Sequence, residues 1–164
     1  LEIGSRIVAG AAYFPALGEM LCAADGVGCH LNGRRCRVSP VASIGRGIVS
    51  FTNAASFKAA GREQAWQRVL GAAWHSAGWS DAYGHALVAT GRLELMLDPI
   101  MNPYDCGPFP VILREAGGYF GDWAGNETIY AQEALSTSQL LLPEVLELIG
   151  GGSTADGPSS AAGD

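Results

Sequence analysis

Short apolar runs alternate with segments of helical apolar spacing over most of this chain, and few folds accommodate that rhythm. Residues 44–51 read as a strand. Residues 56–72 follow with Phe57, Trp66, Val69 and Leu70 near helical spacing. The expected order then runs strand 72–76, helix 81–90, strand 93–97, helix 105–116, strands 119–122 and 134–137, and helix 143–149. Ahead of these, residues 7–13 and 20–24 read as two strands paired across a turn at Pro15 and Gly18. Alternating strands and helices imply a layered α/β domain. Residues 150–164 are Gly, Ser, Thr, Ala, Asp and Pro with nothing to bury, and are expected to form a flexible tail.

Composition narrows the function. With 164 residues, 48% of them hydrophobic and 16% charged, the chain can bury a core. A formal charge of −6, with Lys58 as the single lysine, offers no basic stripe for nucleic acid. The apolar run at 7–17 is interrupted by Pro15 and falls short of the roughly 18 residues of a membrane span, so neither membrane insertion nor secretion is expected. Cys22, Cys29, Cys36 and Cys106 form no CxxC pair, and their spacing suits neither a zinc ribbon nor a recognisable disulfide framework. Reduced thiols and a cytoplasmic location are the expectation.

One segment carries chemistry. Asn102-Pro103-Tyr104-Asp105 precedes an apolar stretch to Leu113, followed by Glu115-Ala116-Gly117-Gly118 and Asp122-Trp123. Asp105 stands where a loop turns into a helix, so its carboxylate can cap free N–H groups or hold a hard cation. Gly117 and Gly118 supply the positive φ that ends such a helix. Pro108 falls among donors that are free at a helix start, whereas Pro110 removes an intrahelical bond and is expected to distort the first turn.

These residues resemble the second signature of the inositol monophosphatase superfamily of metal-dependent phosphatases, an aromatic-Asp pair opening a helix that closes with Glu-Ala-Gly-Gly. The resemblance extends from about Ala11 to Leu148. It includes Ala24-Asp25-Gly26-Val27-Gly28-Cys29 with Leu31-Asn32-Gly33 as a hairpin, and Glu133-Ala134-Leu135-Ser136-Thr137-Ser138 as a closing strand. Asp81-Ala82-Tyr83-Gly84-His85 is most similar to the histidinol-phosphate phosphatase branch. The superfamily's first signature, Asp-Pro-Ile-Asp-Gly-Thr, and its upstream glutamate pair do not occur here. Asp98-Pro99-Ile100 repeats three letters of that signature, but on the wrong side of the Asn-Gly turn. The resemblance thus implies an α/β layered sandwich of alternating helices and mixed sheet, half of an inositol-monophosphatase-like fold. Residues 1–149 are its carboxy-terminal half.

The implied activity is Mg²⁺-dependent hydrolysis of a small phosphate monoester by metal-activated water, with histidinol phosphate, a histidine-biosynthesis intermediate, as the leading substrate. Inositol phosphate is the alternative, and a non-catalytic assembly module is the reading from another class. Mg²⁺ held by carboxylates neutralises phosphoryl charge and makes water nucleophilic. Asp105 is the one metal ligand implied for this chain; the remaining ligands and the catalytic residues would lie in the absent amino-terminal half. Ser80 and Asp81 open a helix and are the implied substrate residues, against the plainer reading of helix caps. Asp98, seven residues before Asp105, is either a third substrate residue or a strand-end turn residue. The isolated chain is expected to be inactive, and to self-associate through the surface the absent half would cover.

The remaining candidates have structural readings. His85 reads as a packed helix residue, Glu115 as solvated, and Trp66, Trp74, Trp79 and Trp123 as core or helix-packing residues. Gly26-Val27-Gly28 is not followed by Lys-Ser or Lys-Thr, which excludes a P-loop and leaves a hairpin with an Asn-Gly turn.

Overall fold

The computed structural model describes residues 1–79 and 81–151. Of the tail expected over 150–164, residues 152–164 lie outside them, while Gly150 ends the last helix and Gly151 caps it. The elements are β1 (Glu2–Ile3), β2 (Arg6–Ile7), β3 (Ala9–Phe14), β4 (Glu19–Ala24), β5 (Gly28–Leu31), β6 (Arg34–Arg35), β7 (Ile48–Phe51), α1 (Ala54–Ala59), α2 (Glu63–Ala72), β8 (His75–Gly78), α3 (Asp81–Ala89), β9 (Leu95–Asp98), α4 (Pro103–Cys106), α5 (Phe109–Glu115), β10 (Gly118–Gly121), β11 (Ala134–Ser138) and α6 (Leu142–Gly150).

A five-stranded mixed sheet of order β10-β11-β9-β7-β8 forms the centre. Strands β7, β8 and β9 run parallel, whereas β11 is antiparallel to both β9 and β10. Side chains alternate across each strand. On β9, Leu95 and Leu97 join Val49, Leu135 and Tyr119 on one face, packed against Phe57, Trp66, Val69, Val145 and Ile149 of α1, α2 and α6. Met96 turns to the other face with Phe120 and Ala134, against α3 and α5. Beneath α3 and α5 lies a second sheet, the antiparallel β3-β4-β5-β6, which sends Leu21, Ala23 and Cys29 into the same core. The layered α/β architecture with a mixed sheet is therefore as the sequence suggested.

Local departures have local causes. The single helix expected over 56–72 is two, α1 and α2, because Gly61 takes φ +71° between them. The strand expected from Ile44 begins at Ile48, after a 3-10 turn at Ile44–Arg46. Trp66 and Trp123 are core residues, but Trp74 and Trp79 are 68% and 51% exposed. They flank β8, which among the described residues pairs on one side only, with β7.

Candidate active site

In an open sheet with parallel strands, the carboxyl ends of those strands are where loops and helix starts gather. Here β7 ends at Phe51, β8 at Gly78 and β9 at Asp98, all at one edge of the sheet. Thr52 and Asn53 follow β7, Asp81 follows β8 after two residues, and the segment 99–105 follows β9.

Asp81 is the first described residue of α3 and is exposed. Its φ of +45° is unusual for any residue other than glycine, Asn or Asp. Its N–H donates to the Thr52 hydroxyl at 2.9 Å, tying the start of α3 to the end of β7. A second tie runs through Ser50, whose hydroxyl accepts from the Trp79 N–H at 2.9 Å and lies 3.3 Å from the Trp79 carbonyl oxygen, to which it donates. The helix can sit this close to the sheet because Gly84 lacks a side chain. A Cβ there would lie 2.5 Å from the Met96 sulfur and 2.7 Å from the Trp79 carbonyl oxygen. Ser80, expected beside Asp81, lies outside the described residues.

Asp105 is not a helix cap. Asn102, in extended conformation, precedes α4, and Asp105 is the third residue of that single turn. Its exposed carboxylate accepts one contact, from the Asn102 side-chain N–H at 3.3 Å. Gly107 and Pro108 separate α4 from α5, so the proline-rich start splits the expected helix rather than bending it. Burial, followed by the charge of Asp105 beside it, pushes the Cys106 thiol up to about 12. It is no nucleophile near neutrality.

Asp98 lies on the Met96 face of β9, so its carboxylate points into the core toward α3, with 1% of the residue exposed. Oδ2 stands 3.2 Å from Nε2 of His85, close enough for a charge contact but out of line for a hydrogen bond. Both oxygens of Asp98 lack a hydrogen-bond donor among the described residues. The other ring nitrogen of His85 lies 2.7 Å from the Ser136 hydroxyl, and the ring packs against Phe109 and Phe120. Asp98 thus stands at the strand end before the bend at Pro99, as one of its two readings expected, with its carboxylate buried rather than open to a substrate in this chain.

Glu115 is partly solvated, as expected, but it also has a structural task. Its two oxygens accept from the N–H groups of Gly26 and Gly28 at 2.9 and 2.8 Å, clamping the turn between β4 and β5 to the end of α5. Four residues of this architecture escaped sequence reasoning: Thr52, Ser50, Ser136 and the clamping role of Glu115. For Ser50 and Ser136, strand alternation held the signal, since each sits on the face opposite its apolar neighbours Val49 and Leu135.

A cleft of about 540 Å³ opens beside this edge, between the α1–α2 turn, residues 99–102 and residues 131–133. Asp81, Asp98 and Asp105 do not line it, and its one cation, Arg62, is held at 2.6 Å by Glu133. Among the described residues, no group of three or more His, Cys, Asp and Glu is placed to hold a metal ion. A single open carboxylate fits one position of a Mg²⁺ shell, which takes several oxygens; the chain's own residues do not complete it.

No helix among the described residues is long and apolar enough to cross a membrane. A histidinol-phosphatase from Chlorobaculum parvum is 35% identical over 153 residues, an alignment covering 93% of this chain and 59% of that protein. A fructose-1,6-bisphosphatase/inositol-1-monophosphatase from Thermotoga maritima is 30% identical over 146 residues, covering 85% and 54% respectively. An inositol monophosphatase structure from Zymomonas mobilis superimposes with a TM-score of 0.81 at 17% identity, over 87% of this chain and 57% of that one. The chain therefore spans about half the length of the curated relatives it matches. The sequence profile of the inositol monophosphatase family matches residues 1–149, and the chain belongs to that family.

Proposed function

We propose that this chain forms the carboxy-terminal half of a Mg²⁺-dependent phosphomonoesterase acting on histidinol phosphate. The observation that carries the reading is the placement of Asp81 and Asp105, both exposed, after the carboxyl ends of the parallel strands β8 and β9. Asp105 would give one oxygen to a metal shell shared with residues beyond this chain; bound Mg²⁺ supplies positive charge for the phosphoryl oxygens. Asp81 would receive the ammonium or imidazole of the substrate, because a carboxylate pairs with a cation more strongly than with a neutral hydroxyl. Asp98 would act from behind, as the buried footing on which residues 99–105 leave the sheet. The stretch 81–85 and the 35% identity to a histidinol-phosphatase support this substrate over inositol phosphate. Inositol phosphate keeps support from the Thermotoga maritima relative.

The test is a chimera in which residues 1–149 replace the matching segment of the Chlorobaculum parvum histidinol-phosphatase. Hydrolysis of histidinol phosphate at rates well above those with inositol phosphate is expected. Preference for inositol phosphate would move the substrate assignment to the alternative. A soluble, folded chimera that hydrolyses neither would overturn the proposal.

A further inference from the structure

A pair of thiols lies apart from the aspartates, in the β5–β6 hairpin. Asn32 and Gly33 form its turn with φ of +49° and +77°, the signs a two-residue hairpin connection needs. Residues placed symmetrically about such a turn face each other: Leu31 opposite Arg34, His30 opposite Arg35. The next pair outward is Cys29 and Cys36, and the Cys36 N–H donates to the Cys29 carbonyl at 2.9 Å. A hydrogen-bonded cross-strand pair has Cα atoms about 5.5 Å apart, within the span a disulfide bridges. The two sulfurs stand 3.3 Å apart.

The other cysteines are placed elsewhere. Cys22 pairs with His30 across β4 and β5, one residue out of step with Cys29, so the pleat sends it to the opposite, exposed face. Cys106 is buried on α4, with its thiol 3.3 Å from the Asn102 carbonyl. We propose that Cys29 and Cys36 are a redox modification site, closing reversibly to a disulfide that staples the β5–β6 hairpin.

The chemistry follows from their unequal surroundings. Contact with the Cys29 sulfur holds the Cys36 thiol below its usual value, and the Leu31 backbone and the Arg92 guanidinium act in the same direction. The same contact, together with burial, pushes Cys29 up. Cys36 is half-buried whereas Cys29 is buried, so Cys36 is the thiol an incoming disulfide reaches, and its thiolate attacks. With a low-molecular-weight disulfide such as oxidised glutathione, the Cys36 thiolate attacks one sulfur and breaks the S–S bond. One glutathione thiolate leaves, and a mixed disulfide remains. Cys29 then gives its proton to solvent and attacks the Cys36 sulfur, releasing the second glutathione. Two protein thiols lose two electrons, and one glutathione disulfide becomes two thiols. The staple closes a short loop whose neighbouring turn Glu115 already clamps, so its effect is local to the hairpin.

The experiment equilibrates the 164-residue chain in glutathione buffers of rising oxidised-to-reduced ratio and counts free thiols after denaturation. The four free thiols should fall to two in a monomer and return to four with dithiothreitol. Cys22→Ser should fall from three to one, and Cys36→Ser should stay at three. Should Cys36→Ser fail to fold, fragment mass spectrometry on the Cys22→Ser protein decides, with the Cys29 and Cys36 fragments expected to be linked. Four thiols retained at every ratio, a loss that disappears in Cys22→Ser, or linkage through Cys106 would overturn the proposal.

Discussion

Nε2 of His85 lies 3.2 Å from Oδ2 of Asp98, and both side chains are essentially removed from solvent. A buried carboxyl group is costly without polar neighbours, and the His85 ring is the one in contact with it. His85→Ala would strand the carboxylate and open a void against Phe109 and Phe120. The expected cost is about 3–5 kcal/mol, measured by urea unfolding. Replacing both residues by leucine should recover much of that loss, since no unpaired charge remains. A cost below about 1 kcal/mol for His85→Ala would show that Asp98 does not depend on this contact.

How far the sequence could be read turns on period. Strands β3, β4, β9 and β10 were legible because apolar runs bounded by Gly, Pro and Asp have few other uses. The break at Gly61 and the split at Gly107–Pro108 were marked by residues known to interrupt helices, yet whether a glycine or proline bends, caps or ends a helix depends on packing that sequence does not record. Asp98 closes β9 as its place after Leu95-Met96-Leu97 suggests, and alternation puts its side chain on the buried Met96 face, a consequence that strand position alone does not announce. The spacing of Cys29 and Cys36 is symmetric about Asn32-Gly33 and could have been read as a facing pair.

Asp81 combines a left-handed backbone with an exposed carboxylate. Asp81→Gly should leave thermal stability unchanged or raise it slightly, since glycine accepts φ +45° without the cost of about 1 kcal/mol or more that a Cβ brings. In the chimera the same change should reduce the preference for histidinol phosphate by tenfold or more, roughly the weight of a lost polar contact to substrate. Equal losses on histidinol phosphate and inositol phosphate would remove Asp81 from substrate choice.

Acid should loosen both ends of β4, where Glu19 begins the strand and Asp25 follows it. The side chains of Arg6 and Arg114 hold the Asp25 carboxyl below its usual value, and Arg92 does the same for Glu19. A carboxyl depressed in the folded state contributes stability that is complete above the unfolded value, about 4. That contribution is lost as pH falls through the lower folded value. The melting temperature of Asp25→Asn should therefore lie below that of the parent near neutrality and converge with it as pH drops below about 4. A difference that persists unchanged at pH of about 3 would contradict the assignment.

Among the described residues, strand β8 has an unpaired edge between two exposed tryptophans, Trp74 and Trp79. Such an edge invites pairing with a second copy. The apparent mass of the chain in sedimentation should rise with concentration, and the paired change Trp74→Lys with His75→Lys should suppress the rise. A monomer at all concentrations would show that the edge is protected.

The role of Asp105 is tested most directly by the Mg²⁺ dependence of histidinol phosphate hydrolysis in the chimera carrying residues 1–149, with and without Asp105→Asn. The substitution keeps size and removes the charge that a hard cation needs. At limiting Mg²⁺, kcat/KM should fall by at least about a hundredfold, equivalent to roughly 2.7 kcal/mol. Part of it should return at high Mg²⁺. An unchanged rate with an unchanged Mg²⁺ dependence would mean that Asp105 only shapes the start of α4, and that the metal is held without it.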